Sequence, residues 1–347
     1  KLRVTSSEIG GGFGGKTVVY LEPLALLLSK KCHHPVKMIM DRDDVMRATG
    51  PTSGANVWVK MGVKNDGAFV AGEAILKYQA GAFAGSPVQP GCMCAFAPYD
   101  MENVKVVGFD IVTNRPKVAA YRAPGAPISE YAVECVVDEI AQKLNMDPVE
   151  LRQKNEAKEG TRAAYGPKFG AIGYPQILEE AKAHEHYNTP LGPNQGRGVA
   201  SGFWFNIGGE SCAALQLNVD GTLNLMIGTP DIGGSRASMA LMAAETLGVE
   251  YEDVRPIIGD TSSLGYTFLT GGSRATFSSG MAVVQASEDI IRQACARAAK
   301  VWEIDEEAVT WEAGFIKPSG PNAGDFEPMT LGDIAKHANK TGGPIAG

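Results

Sequence analysis

Val57, Val59, Met61 and Val63 alternate with Trp58, Lys60, Gly62 and Lys64, the period-two pattern of a half-buried strand. Asn65-Asp66-Gly67 follows and turns the chain into the apolar run 69–78, which predicts a β-hairpin. The pattern recurs far downstream: Leu215, Leu217 and Val219 alternate with Gln216 and Asn218, Asp220-Gly221 supplies the turn, and Leu223, Leu225 and Ile227 return. Elsewhere the period becomes helical. Val133, Val136, Val137, Ile140, Ala141 and Leu144 share one helix face, with Ser129 as candidate N-cap. Asp147-Pro148 opens a second helix over 149–155. Residues 20–30 read as a helix with Pro23 in its first turn, and 175–184 as a short one. Ala237, Ala240, Leu241, Ala244 and Leu247 form a helix face opened by Ser235 and ended by Gly248; Val283, Ala286, Ile290 and Ala294 form another. Residues 2–5, 35–40 and 254–258 read as strands. Two separated hairpins, each accompanied by helices, predict an α+β fold of two mixed-sheet subdomains rather than one parallel sheet. A Gly-, Pro-, Asn- and Lys-rich stretch between 158 and 197 marks the boundary, dividing the chain into 1–190 and 191–347.

Composition narrows the function classes. Lys and Arg number 32 against 39 Asp and Glu, a net charge of −7, which argues against a nucleic-acid partner. No apolar run is long enough to span a membrane, and no signal-peptide pattern opens the chain. The six cysteines are scattered without a zinc-type pair, as expected of mostly buried reduced thiols in a cytoplasmic protein. Lys1 is not a start methionine, so an excerpt of a longer polypeptide is expected. The charged run Asp41-Arg42-Asp43-Asp44 reads as a solvated turn, and His184-Glu185-His186 as surface rather than a metal site.

The 42 glycines are about 12% of the chain against a typical ~7%, an excess that points to tight loops around a ligand. Their densest cluster is Gly10-Gly11-Gly12-Phe13-Gly14-Gly15-Lys16-Thr17. Glycine loses more chain entropy on folding than any other residue, so an ordered run needs positive φ angles or a closely approaching ligand. The letters fit the phosphate-cradling pattern G-x-x-x-x-G-K-[ST], and 36–41 resembles an apolar strand ending in a magnesium-binding Asp. Pro23 opposes that reading, because it falls where the following helix would have to be continuous. Two further Gly-rich loops open helices, Gly228-Thr229-Pro230-Asp231-Ile232-Gly233-Gly234-Ser235 and Thr270-Gly271-Gly272-Ser273-Arg274-Ala275-Thr276, and both suit anion binding at a helix start.

Four stretches together resemble the large subunit of the molybdenum hydroxylases, the family of xanthine dehydrogenase and aldehyde oxidase. They are Gly11 to Lys16; Ala120-Tyr121-Arg122-Ala123-Pro124-Gly125-Ala126-Pro127; the helix pair carrying Asp138-Glu139-Ile140-Ala141 and Asp147-Pro148-Val149-Glu150-Leu151-Arg152; and the stretch from Asp231 through Gly259-Asp260-Thr261 to Thr276. A phosphate-loop protein predicts none of the last three. The resemblance covers most of the chain. It implies two molybdopterin-binding subdomains, the C-terminal part of the first and the N-terminal part of the second.

The resemblance also implies an oxidoreductase that hydroxylates a carbon with oxygen from water. Its cofactor is molybdopterin with molybdenum, in the cytosine dinucleotide form, and its electrons leave through iron–sulfur clusters and FAD on partner subunits or other regions. A dimer of multisubunit units is the implied assembly. Gly12, Phe13 and Gly14 would line the cofactor, and Gly233, Gly234, Gly271, Gly272 and Ser273 would hold the pterin or its phosphates. Arg122 would meet an anionic group or a developing oxyanion; no residue is implied as a direct metal ligand. The general-base glutamate lies outside this chain, and Glu8, Glu22, Glu134 and Glu210 do not replace it, so the excerpt alone is expected to be inactive. Departures narrow the substrate. Ala123 stands where copper-containing carbon monoxide dehydrogenases carry cysteine, while Thr17 and Pro124 stand where purine-oxidising members carry glutamate and an aromatic residue. An aldehyde or N-heteroaromatic substrate is expected. The rival readings are a non-catalytic assembly paralogue and, more remotely, a phosphate-loop nucleotide-binding module.

Overall fold

A period-two run buries one face only if a neighbouring strand and a covering helix complete it. The computed structural model, which describes residues 2–205 and 208–347, shows this happening twice. The chain forms two compact units. One runs from Phe13 to Phe205, and the other combines the described residues before Phe13 with those after Phe205. The sequence division at 190/191 keeps the N-terminal stretch with the first subdomain, whereas these units associate it with the second.

The first unit opens with α1 (Glu22–Cys32) and α2 (Arg42–Ala48). Pro23 sits in the first turn of α1, as its missing N–H allows. The charged run at 41–44 is not a loose turn: Asp41 caps α2 by accepting the Asp44 N–H at 2.8 Å. The hairpin follows as β1 (Ala55–Val63) and β2 (Phe69–Gly81), antiparallel with Val57 opposite Leu76 and Val59 opposite Ala74. The chain crosses through α3 (Val88–Cys94) and returns as β3 (Asn103–Val112), parallel to β2. Then come α4 (Ala126–Leu144), α5 (Pro148–Lys154), α6 (Tyr174–Ala183) and α7 (Glu185–Asn188). Leu76, Tyr78 and Phe96 pack with Val133, Val137 and Leu151 to make the core. Helix α4 begins earlier than Ser129 because Gly125, with φ 86°, turns the chain into it and Pro127 suits its first turn. Ser129 is instead buried inside the helix and donates to Ala126 O at 3.1 Å.

The second unit pairs β4 (Ala213–Leu217) antiparallel with β5 (Leu223–Ile227), crosses through α8 (Ser235–Leu247), and lays β6 (Val254–Ile258) parallel to β5. A π-helical turn over Ala275–Ser279 leads into α9 (Gly280–Trp302), followed by the hairpin β7 (Val309–Glu312) and β8 (Phe315–Pro318), then α10 (Leu331–Lys336) and α11 (Ala338–Thr341). Leu215, Leu225, Ile227, Met239, Leu247, Val283 and Ile290 fill its core. Each unit therefore runs hairpin, crossing helix, parallel strand, long helix, the mixed-sheet α+β architecture expected. Residues 2–5 and 35–40 form no strand, because no described segment pairs with them along their length. Of the six cysteines only Cys94 is buried; Cys32 and Cys135 are exposed, and all are free thiols.

Candidate functional site

In the first unit the glycine loop is a tight turn over 13–16. Phe13 adopts φ 50° and is 65% exposed. Its carbonyl accepts the Arg122 N–H at 2.6 Å, so two stretches far apart in sequence meet through their backbones. Gly14, at φ 94°, packs so closely on the second stretch that a Cβ would lie 2.5 Å from Ala120 O. Glycine is required here by the neighbouring loop itself. Thr17 steadies the turn by donating its hydroxyl to Gly14 O at 2.8 Å. The Tyr20 hydroxyl donates to Gly15 O at 3.1 Å and accepts the Gly50 N–H. No helix starts at Lys16, which is exposed; α1 begins at Glu22. A phosphate-loop reading is therefore not favoured.

The arginine loop is held from both ends. Val118 N–H donates to Ala80 O and Ala119 N–H to Pro51 O, both at 3.1 Å. Beyond the arginine, Ala123 takes φ 55°, and the buried Tyr78 hydroxyl donates to Gly125 O at 2.8 Å. Burial pushes the Tyr78 hydroxyl well above its ordinary pKa, so it remains a donor. Ala123 and Pro124 are half-buried, but the Arg122 side chain is exposed and makes no hydrogen bond or ion pair with a described residue. An anchored backbone thus carries an uncommitted guanidinium.

The second unit brings Gly12 and the other glycine loops together. Ile9 N–H donates to Asp231 O at 2.9 Å, and its carbonyl accepts the Gly233 N–H at 3.2 Å, so the stretch leading to Gly12 runs beside the 231–234 loop. Gly233 and Gly234 have φ 60° and 86°, and a Cβ on either would touch nothing. They open α8, whose N-cap is Gly234 rather than Ser235. The Ser235 hydroxyl is turned back to accept the Ile232 N–H. The Thr229 and Thr270 hydroxyls bond at 2.6 Å, tying this loop to the next, where Gly272 and Ser273 take φ 68° and 63°. Asp260 and Thr261 join loops: Arg3 Nε donates to Asp260 at 2.6 Å, and Val4 N–H to the Thr261 hydroxyl at 2.9 Å. The Ser262 N–H and Arg3 hold the Asp260 carboxyl down to about 2.

Arg274, fully buried, is the feature that loop composition hid. It donates to Gly208 O, Phe268 O, Gly209 O, Glu210 O and the Ser211 hydroxyl at 2.6–3.0 Å, and no described carboxylate pairs with it. The available signal was a lone arginine between a Gly/Ser loop and an apolar helix. Tyr78 and Thr229 were equally unmarked, since their partners come from remote loops.

The profile of the molybdopterin cofactor-binding domain matches this chain twice, in two forms, over residues 1–156 and 172–347. The chain belongs to the molybdenum hydroxylase family. A putative xanthine dehydrogenase molybdenum-binding subunit of Escherichia coli K12 is 32% identical over 286 residues, covering 74% of this chain and 37% of the relative. The aldehyde oxidoreductase of Megalodesulfovibrio gigas is 27% identical, covering 84% of this chain and 34% of the relative. Quinoline 2-oxidoreductase from Pseudomonas putida 86 shares the fold with a TM-score of 0.83 at 21% identity, covering 98% of this chain and 48% of that one. The chain spans between a third and a half of the length of the relatives it matches.

Within this molybdenum-hydroxylase chain Glu134, Glu8 and Glu22 already have partners. Glu134 is buried, accepts from the Tyr99 hydroxyl, from Arg152 at 2.8 Å and from the Ser201 N–H at 2.6 Å. Glu8 pairs with Arg236, and Glu22 accepts the Tyr20 N–H. Among the described residues no group of three His, Cys, Asp or Glu side chains is placed to hold a metal, and no helix is long and apolar enough to cross a membrane.

Proposed function

We propose that this chain is the molybdopterin-holding core of an enzyme that hydroxylates an aldehyde or N-heteroaromatic carbon with oxygen taken from water. The observation that carries the reading is Arg122, an uncommitted guanidinium on a backbone fixed by Phe13, Ala80, Pro51 and Tyr78. The residues present fit an anionic pterin cofactor. Gly233 and Gly234 leave open backbone at the start of α8, with no side chain in the way of a ligand. Next to Gly271, Gly272 and Ser273 in sequence lies a buried cation, Arg274, with no described carboxylate partner. When bound, the cofactor supplies the metal that activates water and accepts the substrate's electrons.

The chain's own residues bind, orient and exclude water. Gly12 gives the cofactor backbone without a side chain, Gly14 lets the loop close on Ala120, and exposed Phe13 shields the cofactor. Arg122 offers a planar fork of donors to negative charge growing on the substrate. Thr17, Ala123 and Pro124, proposed to flank the substrate, carry neither a carboxylate nor an aromatic ring, which suits an aldehyde better than a purine. The names of relatives divide on this choice: an aldehyde oxidoreductase fits it, and a putative xanthine dehydrogenase subunit does not. The cytosine dinucleotide form, the iron–sulfur and FAD subunits, the dimer of such units and the cytoplasmic location belong to the same proposal.

Steady-state kinetics of Arg122→Lys in the assembled enzyme test it. At unchanged molybdenum content kcat is expected to fall roughly 10²–10³-fold with a smaller change in KM, since an ammonium cannot reproduce the fork. Unchanged kcat would make Arg122 structural, and wild-type turnover of xanthine but of no aldehyde or other N-heterocycle would overturn the substrate class.

A further inference from the structure

In an antiparallel ladder, residues alternate between turning their N–H and C=O toward the partner strand and turning them away. In the first unit Gln79 N–H donates to Gly54 O at 2.8 Å, which makes residues 54 and 79 a bonded pair one step beyond Ala55 opposite Tyr78. It follows that Asn56, Trp58 and Lys60 face β2, while Val57, Val59 and Met61 turn their backbone groups to the outer edge of the sheet. No described residue bonds them there. The same register holds in the second unit, where Gly228 N–H donates to Cys212 O at 3.1 Å and leaves Leu215 and Leu217 facing the outer edge of β4. There the edge is closed. Leu215 N–H donates to Gly347 O at 2.9 Å, Gly347 N–H returns to Leu215 O at 2.8 Å, and Leu217 N–H donates to Ile345 O at 3.1 Å, an antiparallel strand supplied by the chain's own extended segment.

Apart from the exposed Lys60, β1 lacks the usual protections of a free edge. It is nine residues long, contains no proline, and its one irregularity lies at its end, between Gly62 and Val63. Val57, Val59 and Met61 are only partly buried against the core, and Trp58 is 46% exposed on the other face. A strand laid along this edge would cover both rows. We propose that the outer edge of β1 is closed in the full-length gene product by an antiparallel extended segment of the same polypeptide lying outside these 347 residues. The sibling sheet shows that this topology takes an own-chain strand at this edge. Relatives two to three times longer supply the precedent for the additional chain. The inference does not rest on the proposed reaction.

Residue-resolved hydrogen exchange on the full-length gene product, dilute and without partner subunits, tests it. The Val57, Val59 and Met61 amides are expected to exchange at least about 100-fold more slowly than the exposed turn amides at 65–66. Exchange as fast as the turn, or protection that appears only at high concentration or with partner subunits, would overturn the proposal. A photo-crosslinking p-benzoylphenylalanine in place of Trp58 then identifies the occupant. A crosslink to a peptide of the same polypeptide outside residues 1–347 is expected; one to a second copy, to a partner subunit or to a peptide within 1–347 would contradict it.

Discussion

The segment that leaves the first unit and enters the second is gripped in two opposite ways. In the first unit the carboxylates of α4 take its N–H groups: Glu134 accepts from Ser201 and Glu130 from Phe203, each at 2.6 Å. Arg152 backs this stripe by bonding Glu134, Asp138 and Val199 O. A few residues later, in the second unit, Arg274 takes carbonyls of residues 208–210 and the Ser211 hydroxyl. One fully buried arginine therefore has carboxylate partners, and the other has main-chain and hydroxyl dipoles and the face of the Phe268 ring. The difference separates a structural ion pair from a buried cation that leaves net positive charge beside a glycine loop. It also separates a grip that titrates from one that cannot, because arginine stays protonated at any pH a protein experiences.

Breaking the ion pair should have the largest effect. Arg152→Met leaves Glu134 buried without its cation, a change that typically costs about 3–5 kcal/mol. Denaturant unfolding of the full-length protein should show that loss, and a change below about 1 kcal/mol would remove the ion pair from the account. Arg274→Lys should cost less, roughly 1–3 kcal/mol, because three donors replace five against the same acceptors. Its distinguishing readout is cofactor retention at matched folding, which the carboxylate-free site predicts will fall and the ion-pair site does not.

The glycines divide the same way. Gly14 is closed on Ala120 O, so Gly14→Ala should strain the loop by roughly 1–3 kcal/mol and displace Arg122 even without cofactor. Gly234 faces open space, so Gly234→Ala should cost only about 1 kcal/mol, the strain of a left-handed alanine. Any larger loss of bound cofactor in that variant then comes from the cofactor's own contact. Equal behaviour of the two variants in folding and cofactor content would erase the distinction.

The smallest effect is the pH dependence of the first grip. Burial raises the Glu130 carboxyl to about 7, with Glu134 adding to the rise against the opposing Phe203 N–H. A carboxyl whose folded pKa lies above its unfolded value stabilises fully below the unfolded value, and that contribution is lost as pH rises through the folded one. Stability of the wild type relative to Glu130→Gln should therefore be flat below about pH 4.5 and decline as pH rises through 7. By pH 8 the difference should reach on the order of 1–2 kcal/mol. Thermal melts of both proteins at pH 4 and pH 8 measure this, and a pH-independent difference would show that Glu130 does not titrate in the grip.

Much of the scaffold was legible because local signals agreed. The alternation of Val57, Val59 and Met61 with Asn65-Asp66-Gly67 behind it specifies a hairpin without tertiary help, and the apolar face from Val133 to Leu144 specifies α4. β3 escaped because it is an edge strand whose outer face carries Phe109 and Ile111, so apolar and polar positions do not alternate cleanly. Residues 2–5 and 35–40 have strand-like composition, but a strand needs a partner along its length. At the candidate site, glycine density marked the loops correctly as unusual backbone, yet density alone does not say what approaches each glycine. Ala120 explains Gly14, only open space surrounds Gly234, and only geometry distinguishes them. Arg274 was invisible for a related reason: its acceptors are main-chain carbonyls, which have no letters.

The central claim is that this chain binds a molybdenum–pterin cofactor. Metal analysis of the native full-length protein, combined with release and identification of the pterin, tests it most directly. The account predicts about one molybdenum per chain with an equal amount of pterin dinucleotide. A folded, assembled protein from cofactor-replete cells that contains neither would contradict it.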